Sequence, residues 1–152
     1  MSRAENAKAY FLQGYNCAQA VALSFADICK TDKETLLKMT LPFGGGVGRL
    51  RLTCGAFSGI ATVVGLVFAQ SENTPENKKQ IYAIVQTLGE KFRSENGSYI
   101  CAELLAGANV TPVVGGEADA RTEQYYKKRP CAEIVYGAAA ILENYLLENG
   151  VL

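Results

Sequence analysis

Cys54-Gly55-Ala56-Phe57-Ser58-Gly59-Ile60-Ala61-Thr62-Val63-Val64-Gly65-Leu66-Val67-Phe68-Ala69 is the most hydrophobic stretch of the chain. It covers 16 residues. A membrane-spanning helix needs about 20 apolar residues, so the stretch reads as a buried core helix running to about Gln70. It is apolar on nearly all sides, which predicts a central helix surrounded by others. Its glycines and alanines let neighbouring backbones come close.

The segments around it read as further helices. Ala4–Gln13 is amphipathic, with Ala7, Tyr10 and Phe11 toward a core. Cys17–Cys29 places Cys17, Val21, Phe25 and Ile28 on one face. Asp32 caps a short helix to about Met39, on which Glu34 and Lys38 pair at i, i+4. Pro75 suits the first turn of a helix that runs to about Asn96. Tyr99–Leu105 and Pro130–Leu147 complete the set, while residues 106–122 read as loop. Val110–Val114 within that loop suits extended backbone but has no obvious pairing partner. The expectation is an all-α, single-domain bundle of five to seven helices over residues 1–152.

Composition narrows the function classes. Fifteen lysines and arginines balance fifteen aspartates and glutamates among 152 residues. A formal net charge of zero gives no general argument for nucleic acid or an anionic membrane surface as partner. The polar start Met1–Asn6 has neither an apolar signal core nor a twin arginine, which points to the cytoplasm. Five cysteines in a cytoplasmic chain point to metal binding, catalysis or transient redox pairing, rather than a permanent disulfide framework.

Four of those cysteines stand at predicted helix starts. Asn16 precedes Cys17, Thr53 precedes Cys54, Ser98 lies three residues before Cys101, and Pro130 precedes Cys131. Each neighbour is a side-chain cap or a proline suited to a first turn. Free cysteine often serves as a small buried hydrophobe, but packing has no reason to prefer the first turn. The partial positive charge of a helix N-terminus favours the thiolate, which is the nucleophilic and metal-binding form. Cys29 sits near a helix C-terminus, where the dipole disfavours a thiolate, and reads as structural. Arg49 and Arg51 shortly before Cys54, and Lys127, Lys128 and Arg129 before Cys131, are cations that could stabilise ionised sulfur. Lys127 and Lys128 read as solvated loop charges.

Several familiar sites are excluded by spacing. The chain has no histidine, hence no Cys-His pair, no Ser-His-Asp triad and no histidine-ligated metal. No Cys-x-x-Cys occurs, which removes a thioredoxin-type motif and a zinc ribbon. A four-cysteine zinc or iron–sulfur site remains open, because tertiary structure can assemble one. The glycine-rich run Phe43–Thr53 has no preceding strand, no P-loop lysine and no GxGxxG order, so it does not read as a nucleotide loop. Its expected role is a tight turn that lets Cys54 be approached closely.

The cysteine-bearing segments resemble the C_GCAxxG_C_C family, described as redox-active proteins. That family has four characteristic cysteines, with a CGAxxG motif around the second. The motif stands here as Cys54-Gly55-Ala56-Phe57-Ser58-Gly59. The first cysteine matches within Gly14-Tyr15-Asn16-Cys17-Ala18-Gln19-Ala20, and the third in Cys101-Ala102-Glu103-Leu104-Leu105. The fourth matches in Arg129-Pro130-Cys131-Ala132-Glu133-Ile134-Val135, and Cys29 has no counterpart. The resemblance implies redox chemistry in a bacterial or archaeal protein and leaves the substrate and cofactor unnamed.

Two functions fit these residues. In the first, Cys17, Cys54, Cys101 and Cys131 carry thiol–disulfide or electron-transfer chemistry, as in a thiol–disulfide oxidoreductase. Cys54 would then be the most reactive thiolate and the other three its pairing partners. The electron partner would be a redox protein or a small thiol or disulfide. In the second, the same four cysteines hold zinc or an iron–sulfur cluster. The largely apolar helix from Cys54 also suits a homodimer.

Overall fold

A computed structural model describes residues 1–152. It contains eight α-helices and two short 3-10 turns, and its only β pairing is an isolated bridge between Thr53 and Ile100. The helices are α1 (Arg3–Leu12), α2 (Cys17–Leu23), α3 (Lys33–Thr40), α4 (Gly55–Phe68), α5 (Pro75–Asn96), α6 (Cys101–Gly107), α7 (Glu123–Lys128) and α8 (Cys131–Glu148). The all-α expectation holds, with more helices than the five to seven expected. None of them is long and apolar enough to cross a membrane.

Helix starts follow their caps. Ser2 with Glu5, and Asn16 with Gln19, form reciprocal capping boxes at α1 and α2, each satisfying two otherwise unpaired N–H groups. Asp32, Thr74 and Thr122 cap α3, α5 and α7 through their side chains. Pro75 opens α5, and Gly97 closes it at φ +87°, a left-handed conformation that glycine adopts at little cost.

Twenty-five buried residues form one hydrophobic cluster that draws on every helix except the short α7. Within it α1 lies along α8 and α2 lies against α4. The expected central helix is not the enclosed one. Phe57, Ser58, Ala61, Thr62 and Gly65–Phe68 of α4 are only half-buried, whereas Ala18–Phe25 is buried throughout. The reason is size. Ala18, Ala20 and Ala22 let neighbours close over α2 from several sides, while α4 sets Gly55 and Gly59 against α2, and Gly55 also against the Phe43 carbonyl.

The expected helix from Cys17 to Cys29 is broken. After Leu23 the chain passes into a 3-10 turn at Ala26–Ile28. Ser24 Oγ donates to Val21 O at 2.7 Å, and Ser24 O accepts from Arg3 Nη1 at 2.7 Å. These side-chain bonds replace the next helical turn. Helix α7 was not expected at all. Its six residues, Glu-Gln-Tyr-Tyr-Lys-Lys, have no apolar periodicity to reveal them.

The glycine-rich connection turns the opposite way from the helices. Gly45, Gly46, Val47, Gly48 and Arg49 have φ of +65°, +72°, +64°, +56° and +68°, and Arg51 follows at +60°. Arg51 N donates to Gly45 O at 3.1 Å and Leu52 N to Gly46 O at 2.9 Å, which stitches the run closed. L-residues resist this region, β-branched valine most of all.

Candidate functional site

All four cysteines expected at helix starts line one cavity of about 70 Å³. Cys17, Cys101 and Cys131 are the first residues of α2, α6 and α8, and Cys54 is the residue that caps α4. All five cysteines are free thiols. Cys29 lies apart from the cavity in the hydrophobic core, and burial pushes its pKa up to about 11, in keeping with a structural role. Ser98 does not cap α6 itself. Its hydroxyl accepts from Ile100 N at 2.9 Å and donates to Glu103 Oε1 at 3.1 Å, straddling the helix start.

Glycine spacing brings the four together. A Cβ on Gly59 would lie 2.9 Å from Ala18 O and 2.9 Å from Val21 Cβ. One on Gly55 would lie 2.9 Å from Phe43 O and 3.2 Å from Cys17 Cβ. The two glycines, four residues apart on one helical face, therefore let α2 settle directly on α4 and set Cys17 beside Cys54. Main-chain bonds then couple the starts of α4 and α6. Cys54 N donates to Tyr99 O at 2.8 Å, and Cys101 N to Leu52 O at 2.6 Å.

The glycine-rich run does bring backbone close to a thiol, but to Cys101 rather than the expected Cys54. A Cβ on Gly46 would lie 2.6 Å from Cys101 Cβ and 2.8 Å from Arg51 Cα. Only glycine fits there, on space and on φ alike.

The thiols differ sharply in acidity. Hydrogen bonding with Cys17 is the main cause that lowers Cys131; burial opposes it, and the charges of Arg129, Arg121 and Arg51 assist, so its pKa falls to about 7. The same bond raises Cys17 well above its usual value, helped by burial and by the neighbouring sulfurs. The two therefore titrate as one coupled pair around a shared proton. Burial pushes Cys54 up to about 12, although the amides of Ala56 and Phe57 work the other way. Burial also raises Cys101 despite Arg51, whose Nη1 lies 3.8 Å from its sulfur. The expectation that Cys54 ionises most readily therefore fails. The helix start contributes, but desolvation outweighs it at Cys54, the least exposed of the four thiols.

Cations shape the rest of the site. Arg51, Arg121 and Arg129 line the thiol cavity, while Lys127 and Lys128 are exposed and do not. Arg51 is buried, and its Nε donates to Val113 O at 2.9 Å. Asp119 accepts from Arg49 at 2.9 Å and from Arg129 at 2.6 Å, with Arg51 Nη2 at 3.9 Å. Burial disfavours its charge, but these arginines prevail and hold its carboxyl below the usual carboxylate range.

Arg121 lies 4.2 Å from the Phe11 ring centroid and donates to Phe11 O at 2.9 Å and Tyr15 O at 3.1 Å. It thereby ties the far loop to the C-terminal end of α1, where carbonyls lack helical partners. Arg121, Asp119 and Tyr125 were not singled out from the sequence. They lie in or beside a loop with no periodicity, and their roles depend on where that loop lands.

No group of three or more cysteine, aspartate or glutamate side chains stands close enough to hold a metal ion. The zinc or iron–sulfur alternative draws no support from this arrangement. Four free thiols around one cavity, with guanidinium groups beside them, are suited to nucleophilic sulfur chemistry.

The family model described as "Putative redox-active protein (C_GCAxxG_C_C)" matches residues 15–145. The chain belongs to this family. The match contains all four cavity cysteines and the Cys54-Gly55-Ala56-Phe57-Ser58-Gly59 motif. In this member of the C_GCAxxG_C_C family both motif glycines have a packing role, since they seat α2. No curated protein and no solved structure matches the chain.

Proposed function

We propose that the protein is a thiol–disulfide oxidoreductase in which Cys131 is the attacking thiolate and Cys17 the resolving thiol. The observation that carries this reading is the convergence of Cys17 and Cys131, the first residues of α2 and α8, on one cavity lined by Arg51, Arg121 and Arg129; the opposite displacement of their two acidities agrees with it. A pKa near ambient pH is the best compromise between thiolate fraction and intrinsic nucleophilicity.

The electrons and protons balance in two steps. Cys131 thiolate attacks one sulfur of a substrate disulfide, forming a mixed disulfide and releasing one substrate thiolate. That leaving thiolate takes the proton from Cys17. Cys17 thiolate then attacks the Cys131 sulfur, closing a Cys17–Cys131 disulfide and releasing the second substrate thiolate. Two protein thiols lose two electrons, and one substrate disulfide gains them. Cys54 and Cys101 remain neutral thiols throughout and form apolar walls of the cavity.

The test is peptide mapping after exposure of reduced protein to a small disulfide and trapping with an alkylating agent. The expected product is a Cys17–Cys131 cross-link, and Cys17→Ser should accumulate a mixed disulfide at Cys131. If both sulfurs stay fully alkylatable after exposure to disulfide, the mechanism is wrong.

A further inference from the structure

A second, wider chamber of about 450 Å³ adjoins the thiol cavity. Arg51, Arg121, Arg129, Asn16, Gly45 and Tyr125 line both, so these residues form the boundary between the two spaces. Arg49 and Asp119 complete the charged lining of the outer chamber. Four arginines thus face one aspartate, a formal excess of three positive charges in a chain whose net charge is zero. The rim is open to solvent at Leu41, Gly48, Gly116 and Ala118.

This concentration of charge exceeds what folding needs. Asp119 and the carbonyls of Phe11, Tyr15, Val113 and Gly115 occupy some of the guanidinium donors. A guanidinium carries five N–H donors, and these bonds use one on Arg129 and two on Arg49. Half-buried cations with spare donors, at the mouth of a reactive-thiol cavity, are suited to bidentate recognition of carboxylate or phosphate groups. A volume of this size falls within the range of small-molecule sites.

We propose that the outer chamber selects a small anionic disulfide, one bearing carboxylate or phosphate groups close to its sulfurs, and presents it to the thiols beneath. This inference rests on the exchange reaction proposed above and names the substrate class of that same site. The acidic groups would lie among the arginines of the boundary, with the disulfide directed inward. The arginines then serve twice, favouring the attacking thiolate and holding the group it attacks.

Three disulfides of similar size test it: dithiodiglycolate, which is anionic, bis(2-hydroxyethyl) disulfide, which is neutral, and cystamine, which is cationic. Each rate with the reduced protein is divided by the rate of the same disulfide with free 2-mercaptoethanol, which removes intrinsic reactivity. The normalised rate should be at least about tenfold higher for dithiodiglycolate than for the neutral disulfide, the effect of one charge-assisted hydrogen bond made in the transition state. Cystamine should be slowest, added salt should narrow the gap, and Arg49→Gln should reduce the anionic-to-neutral ratio.

Adipate, the sulfur-free counterpart of dithiodiglycolate, should slow alkylation of Cys131 by iodoacetamide, while 1,6-hexanediol should not. Equal normalised rates, or no protection by adipate, would overturn the substrate class while leaving the exchange reaction standing. Failure of all three disulfides to oxidise the protein would instead overturn the exchange reaction, and the substrate class with it.

Discussion

Replacing Cys17 by alanine removes the sulfur that most lowers the pKa of Cys131 and leaves the Asn16 cap and the helix start intact. Cys131 has been brought from the usual 9.0 to about 7, and the bond from Cys17 is the largest cause. Without it, burial acts on Cys131 with only the arginines in opposition, so the midpoint should move up from about 7 toward the usual 9.0. A rise of one unit lowers the thiolate fraction at pH 7 about fivefold, and two units about fiftyfold, by simple titration. Intrinsic nucleophilicity rises about threefold per unit of pKa and partly offsets this. The net fall in alkylation rate at pH 7 is therefore about twofold to sixfold, and the midpoint is the sharper readout. The assay is the rate of Cys131 alkylation by iodoacetamide between pH 5 and 10, followed by mass spectrometry of its peptide. A midpoint that stays within about 0.3 units of the unsubstituted protein would refute the shared-proton account.

Two further predictions concern stability. Gly59→Ala would force a methyl group to within 2.9 Å of Ala18 O and Val21 Cβ, and overpacking of this kind costs about 1–3 kcal/mol. Thermal unfolding should show a Tm lower by roughly 3–10 °C, and an unchanged Tm would mean that α2 and α4 are not in contact here. The second is alkaline sensitivity. Cys54 has a folded pKa of about 12, above its unfolded value of 9.0. Its contribution is therefore fully present below pH 9 and lost as pH rises toward 12, by about 1.4 kcal/mol per unit and at most about 4 kcal/mol. Urea unfolding from pH 8 to 11 should fall less steeply for Cys54→Ala, and parallel slopes would discard the buried thiol as the cause.

The sequence was most legible where local chemistry decides. Thr74, Pro75 and Gly97 bound α5, and its expected limits agree with the observed Pro75–Asn96. The four helix-start cysteines were visible from their neighbours, and their placement around one cavity follows from tertiary packing. Three things were not visible. The ranking of the thiols depends on burial and on a sulfur brought from another helix, neither of which spacing encodes. The enclosure of α2 depends on what closes over its alanines, since its periodicity marks only one face. Arg121 and Asp119 lie in a segment without apolar rhythm; its landing at the end of α1 gives Arg121 the carbonyls of Phe11 and Tyr15, and its landing on the Gly45–Arg51 turn gives Asp119 the guanidinium groups of Arg49 and Arg51. Long-range electrostatics is set by proximity in space and leaves little trace in linear order.

Cys17 and Cys131, whose sulfurs are proposed to pair, begin α2 and α8, near opposite ends of the chain. A bond between them would convert a linear polymer into a ring of roughly 115 residues with two short tails. Closing a loop of about 100 residues removes enough freedom from the unfolded ensemble to correspond to about 4.7 kcal/mol in the chain-entropy treatment. The oxidised protein would then be harder to unfold than the reduced one even with every other contact unchanged. Redox state would be written into the topology of the chain, where a protease or an unfolding machine could read it without touching the cavity.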